Sequence, residues 1–330
     1  MKLSILDQSP ISVGSTSADA INQTITLAKK AEEWGYSRYW IAEHHNTNGL
    51  ASSSPEILMT RLATETSRIR IGSGGVLLPQ YSPLKVAENF KMLEAMFPGR
   101  IDLGLGRSPG GSQKTRLALT DGYKKTLSAF PRQVKELRQF LQGTIPKGHD
   151  HFGVKATPLT TSNPDVWVLG ISERGARHAA NNGTGFTFGH FIDPTNGKSA
   201  ISAYREQFHP VVDNDEPKVN VCIFVICAET KEQAEKLALS QDVWLLQVEK
   251  GLETRVFSHE DLFNQKFTPK EIEKMKMNRR RAIIGDPKEV KEQLTRLKDH
   301  YGTDEFLIIT NIFDFQAKIR SYELLAEALL

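Results

Sequence analysis

Cysteine is scarce: the 330 residues include two, Cys222 and Cys227. They stand five positions apart in VNVCIFVICA, a run that reads as one buried strand, so their side chains leave opposite faces and cannot pair with each other. Two buried thiols without a disulfide framework suit a reducing compartment, and the expected location is the cytoplasm. No uninterrupted apolar run approaches the ~20 residues of a membrane span, and MKLSILDQSP meets Asp7 too early for a secretory signal. An excess of one charge is missing too. The 42 Lys and Arg are interspersed with 39 Asp and Glu, for a net charge of +3, so no basic stripe for a nucleic-acid backbone is present. MNRRR at 277–281 is the exception, and it reads as a solvated helix end or loop. No linker rich in Pro, Gly or Ser divides the chain, which is read as a single domain over 1–330.

Present instead is a regular alternation of short apolar strands with longer amphipathic segments, the pattern of βα units. Strands are expected at 3–6, 39–42, 69–77, 101–105, 166–169, 185–188, 219–227 and 305–310. Helices are expected at 20–34, 55–66, 83–96, 123–141, 173–181, 231–249 and 287–301, with a last one near 321–330. Pro55, Pro83 and Pro287 mark first helical turns. Eight such units predict a (β/α)8 TIM barrel. Two stretches exceed ordinary connectors, 142–164 after the fourth strand and about 250–281 after the seventh, and are read as insertions of lid or mobile-loop type.

Barrel active sites form at the C-terminal strand ends, and four of these ends are unusual. Glu43-His44-His45-Asn46 follows the second strand, and Gly72-Ser73-Gly74-Gly75 interrupts the third. Adjacent glycines inside a strand signal either a bulge or the close approach of something flat or of an unusual peptide. The fourth strand runs into Gly104-Leu105-Gly106-Arg107-Ser108-Pro109-Gly110-Gly111, where backbone could approach an anion and a guanidinium neutralise it. It is not a dinucleotide fingerprint, because Pro109 occupies the third glycine position, and no P-loop lysine is present. Gly170 and Ser172 stand where the fifth strand meets a helix, a phosphate site or a plain N-cap. For His44 and His45 a metal site is the alternative to acid–base work. Neighbouring residues leaving a strand diverge and no H-x-H or H-E-x-x-H accompanies them, so no metal is expected, although His149, His151 and His190 could converge.

Strand-plus-EHH, then IGSGGVLLPQYSPLKVAE, then FPGRIDLGLGR in this order resembles the luciferase-like flavin monooxygenases, and the alkanal-monooxygenase-like branch in particular. The likeness covers about residues 3–188 and continues weakly through IIGDP and EFLIIT. It implies a barrel that binds reduced FMN, supplied by a separate reductase, and uses dioxygen to oxidise a small organic substrate through a flavin hydroperoxide. By that resemblance Ser73, Gly74 and Gly75 fall where the family often has a non-proline cis peptide under the flavin ring. His44 matches the family's active-site histidine, flanked by Glu43 and His45, while His190 matches a position that faces the flavin. Gly106 and Arg107 match a phosphate or ring-edge contact, and Gly170 and Ser172 the phosphate end. Glu88 matches a residue at the subunit contact of family dimers, so a homodimer is implied. The cysteine that luciferase carries at the position of Gly106 is absent. Deazaflavin-dependent hydride transfer, a non-catalytic flavin-binding protein and, from another class, a metal-dependent barrel hydrolase remain the alternative readings.

Overall fold

A computed structural model describes residues 1–330 except Pro109, residues 212–215, Glu253 and Asn264. The third position of the rejected dinucleotide fingerprint, at Pro109, thus lies outside the described residues. Strand side chains alternate between two faces, and β9 (Glu305–Ile309) shows the result: Phe306 and Ile308 join the core under the helices, whereas Leu307 and Ile309 point inward with Leu6, Trp40 and Trp167. The other strands are β1 (Lys2–Asp7), β2 (Arg38–Ile41), β3 (Arg70–Val76), β4 (Ile101–Gly106), β5 (Asp165–Gly170), β6 (Gly185–Gly189), β7 (Val219–Cys227) and β8 (Ala282–Gly285).

Strands β1 to β6 follow one another in parallel, β6 pairs with β7, β7 with β9, and β9 closes back on β1. This is the expected eight-stranded barrel. One strand escapes the sequence reading: β8 lies parallel to the second half of β7, pairing Phe224–Cys227 with 282–285, while the first half of β7 serves β6. Four residues are too short for an alternation to be recognised.

The helices are α1 (Ser17–Glu33), α2 (Pro55–Glu65), α3 (Pro83–Met96), α4 (Gln113–Leu119), α5 (Phe130–Gln142), α6 (Glu173–Asn181), α7 (Gly197–Glu206), α8 (Lys231–Glu249), α9 (His259–Phe263), α10 (Pro269–Asn278), α11 (Pro287–Tyr301) and α12 (Phe315–Leu329). Where one helix was expected at 123–141, α5 begins only at Phe130, with a proline in its first turn, and an unexpected short α4 precedes it, ending before Asp121 and Gly122 take positive φ. The segment 250–281 is likewise not all loop. It carries α10, started by a Thr268–Glu271 capping box with Pro269 in the first turn. Its arginine cluster turns inward on the protein, with Arg279 on Glu235 and Asp242 and Arg281 on Glu249. No helix among the described residues is long and apolar enough to cross a membrane.

The N-terminal end of the barrel is closed by charge. Asp102, fully buried on β4, accepts hydrogen bonds from Arg38 Nη1 (2.7 Å), Arg70 Nε and Nη2 (2.9 and 2.6 Å) and Trp40 Nε1 (2.9 Å). Burial by itself would raise this carboxyl, but the two guanidinium groups outweigh it and hold the group below its ordinary range. Arg38 also reaches Glu305 at 2.7 Å, so β2, β3, β4 and β9 share one network.

Candidate active site

At the opposite end, the C-terminal strand ends enclose a cavity of about 330 Å³. Its walls are mainly apolar, with Leu6, Val168, Leu169, Phe191 and Ile192 among them. A larger hollow of about 770 Å³ opens at the N-terminal end, but it is lined by the charged groups of the closing network and their neighbours. Chemistry in barrels resides at the C-terminal face.

Gly74 and Gly75 line the cavity, and the peptide between them is cis. The register of β3 against β4 shifts between Ser73 and Val76 at the same point. Both readings of the glycine pair therefore describe it, an irregular strand and an unusual peptide. A Cβ on Gly75 would stand 2.7 Å from the Gly104 carbonyl oxygen, and one on Gly74 would strike the Leu6 side chain. Backbone and core packing thus require these glycines before any ligand is considered.

The mouth of the cavity carries a guanidinium and a helix N-terminus. Arg107 and Gly106 line it from β4, and Gly170 and Ser172 line it from the junction of β5 with α6. Ser172 is also the N-cap of α6, its hydroxyl accepting from the Gly175 amide at 3.4 Å. The cap and phosphate-site readings of Ser172 are compatible, since a helix N-terminus presents free amides and a positive dipole end. His178, one turn along α6, also lines the cavity; burial, then Arg174 and Arg107, lower its pKa.

The Glu43-His44-His45 motif divides its labour. Glu43 is buried and accepts from the Leu77 amide (2.8 Å), Tyr81 hydroxyl (2.5 Å) and His45 Nε2 (2.7 Å). Burial raises its pKa against these bonds. It thereby clamps the chain just beyond the glycine pair. His44 points elsewhere: its amide bonds the Ser52 carbonyl, its Nδ1 is buried with no partner among the described residues, and burial, then His45, lower its pKa to about 4. The imidazole is therefore neutral at neutral pH. It is not among the residues that line the cavity.

A family model for luciferase-like monooxygenases matches residues 1–304. The chain belongs to that family. The N-acetyl-S-alkylcysteine monooxygenase of Bacillus subtilis (strain 168) is 38% identical, over 100% of this chain and 98% of the relative. A luciferase-like monooxygenase of Escherichia coli (strain K12) is 36% identical, over 97% and 95%. Among solved structures, apo-MsnO8 superposes with a TM-score of 0.90 at 35% identity, covering 100% of this chain and 99% of that one. The protein is a luciferase-like monooxygenase, as the motif order implied.

Two residues expected at the cofactor take other places in this luciferase-like monooxygenase. Ser73 is fully buried between strands, its hydroxyl donating to the Gly104 carbonyl (2.9 Å) and accepting from the Gly104 amide (3.1 Å). It ties β3 to β4 at the point where their register begins to shift. His190 follows β6 but turns toward α11, where Nδ1 meets the Tyr301 hydroxyl at 2.8 Å. It is not among the cavity-lining residues either. Nor do the other histidines join it: His149 and His151 pack on each other, with ring centroids 5.3 Å apart. Among the described residues no group of three or more His, Cys, Asp or Glu is placed to hold a metal. The sequence reading missed Cys222 and Thr187 as cavity residues. Their inward parity on β7 and β6 was the available signal.

Burial lowers the His190 pKa from 6.5 to about 4. The unfolded chain takes up this proton near 6.5 while the folded one stays neutral to about 4, so the stability contribution is full above 6.5 and falls as pH drops through that window. His190→Gln is expected to flatten the acid-side loss of urea stability by roughly 2–3 kcal/mol between those limits. Parallel curves for variant and wild type would reject the assignment.

Proposed function

We propose that this monooxygenase binds reduced FMN in the C-terminal cavity, takes it from a separate reductase, and oxidises a small organic substrate with dioxygen. One observation carries the reading: an apolar cavity has the Gly74–Gly75 peptide in its wall and Arg107, Ser172 and the N-terminus of α6 at its mouth. A flat ring with an anionic tail fits that combination, because apolar walls take the ring while a guanidinium, a hydroxyl and helix amides take the phosphate. When bound, reduced FMN supplies the electrons that activate dioxygen. The chain's own part is to hold the phosphate at Arg107 and Ser172, to exclude water with the apolar walls, and to hold or accept a proton at His44.

Arg107→Ala is expected to weaken FMN binding ten- to a hundredfold, the loss of a charge-assisted bond. Fluorescence quenching of FMN on titration with protein measures it; an unchanged affinity would move the phosphate elsewhere. The reading as a whole is tested by stopped flow, mixing FMN-loaded, anaerobically reduced protein with dioxygen. Reoxidation much slower than that of free flavin supports a monooxygenase, and reoxidation at the free rate favours the deazaflavin or non-catalytic alternatives. N-acetylated thioethers, the class in one relative's name, are the first substrates to screen.

We further infer a homodimer. Glu88, Met92 and Met96 recur at four-residue spacing on α3, and both methionines are about half exposed. Sedimentation at twice the chain mass is expected; a monomer at micromolar concentration refutes it. Cytoplasmic residence belongs with this proposal, resting on the two unpaired cysteines.

A further inference from the structure

Below the cavity the barrel interior is plugged. Trp40 and Trp167 meet edge to face with centroids 5.6 Å apart, and the Arg38 guanidinium stacks on the Trp167 ring at 4.9 Å. The Trp167 ring lies against Gly185, where a Cβ would stand 2.5 Å from Cδ2. Thr187, the next inward residue on β6, therefore sits one step above the plug, and it lines the cavity. Its register partner on β7 is Asn220, which precedes the cavity-lining Cys222 on the same inward face.

This floor is polar and unsatisfied. Thr187 Oγ1, Asn220 Nδ2 and Asn220 Oδ1 are buried with no hydrogen-bond partner among the described residues, and so is Trp167 Nε1 beside them. Thr187 is 2% exposed and Asn220 0%. A buried amide without partners is costly enough that native proteins supply a partner, from protein, water or ligand. Thr187 lines the mainly apolar cavity at its closed end, and Asn220, its register partner on the same inward face, lies directly behind it. Asn220 offers a donor and an acceptor side by side, and Thr187 adds a hydroxyl that serves as either. That set is complementary to a carbonyl adjacent to an N–H.

We propose that Thr187 and Asn220 form a recognition floor for an amide- or imide-type edge of the molecule that fills the cavity. This rests on the cofactor reading above. Two molecules could present the edge: the flavin, through the imide of its ring, or the substrate, through a secondary amide.

The test uses Thr187→Val and Asn220→Leu, near-isosteric changes that remove the unpaired groups. Melting of the ligand-free variants, expected at or above the wild-type temperature, verifies that they fold. FMN and N3-methyl-FMN are then titrated by fluorescence quenching. If the cofactor supplies the edge, the variants bind FMN five- to tenfold more weakly, and N3-methylation weakens binding to the wild type but not to the variants. If the substrate supplies it, FMN binding is unchanged, and calorimetry shows that N-acetyl-S-methylcysteine loses at least fivefold in affinity on mutation while S-methylcysteine does not. Affinities within twofold for all four ligands overturn the proposal and leave the floor to water. A wild type that fails to bind FMN sinks the cofactor reading; the two amino acids, titrated against the cofactor-free protein, then decide the floor by the same criterion.

Discussion

Asp102→Ala is expected to remove about 3–5 kcal/mol of folding stability, because it leaves two partly buried guanidinium groups facing each other without the buried carboxylate between them. The wild-type group accepts four hydrogen bonds from Arg38, Arg70 and Trp40. Arg70, which is more exposed than Arg38, keeps partners at the Ile101 carbonyl and Asp165, and Arg38 keeps Glu305, so part of the loss is relieved. Asp102→Asn, which keeps the shape and the acceptor oxygen, should lose less. The measurement is the urea midpoint with the slope unchanged. FMN affinity of the folded variant should remain that of the wild type, since none of Asp102, Arg38 and Arg70 lines the cavity and the Trp40–Trp167 pair lies between them and it. A loss under about 1 kcal/mol would mean that the arginines find other partners, and the account of how the barrel is closed would fail.

His44→Ala is expected to bind FMN within about twofold of the wild type and to lose roughly 10²- to 10⁴-fold in substrate turnover, the range of a positioned acid or base. The physical basis is that the imidazole is neutral and its buried Nδ1 has no partner among the described residues, so it can hold a hydrogen bond to a reacting group. Glu43 and His45 are poor substitutes because they are bonded to each other and, through Tyr81 and Leu77, to the chain beyond β3. Since His44 is not part of the cavity wall, the alternative is that it merely fits the loop after β2. Unchanged turnover in His44→Ala would establish that alternative. Loss of FMN binding together with turnover would show that the loop shapes the cofactor site, and the proton role would fall.

Much of the architecture was legible because it rests on local rules. The inward and outward alternation of EFLII in β9 marks a strand without reference to its neighbours, and Asp286 before Pro287 marks the start of α11. The capping box of Thr268 and Glu271 was present in the same way, but α10 is polar on most sides and lacks the apolar periodicity that made the other helices visible. Strand β8 carries only AIIG, and it forms because β7 outruns β6 and leaves half of its edge open. Asp102 was likewise visible as a charge inside an apolar run. Its meaning depends on Arg38 and Arg70, which lie 64 and 32 positions away.

The sequence by itself determined the order of the eight barrel strands and the barrel class, and it marked candidate positions for the chemistry: EHH after β2, the glycine pair in β3, Gly106-Arg107 and Gly170–Ser172. These follow from periodicity, from the special backbone of glycine and proline, and from strand ends, all of which act within a few residues. Only the tertiary structure decided which polar side chains face the cavity. It turned Ser73 between strands, sent His190 to Tyr301, engaged Glu43 as a clamp, and brought Thr187 and Asn220 together above the two tryptophans. A polar group's direction is set by the partner that satisfies it, and in a closed barrel that partner comes from strands distant in sequence.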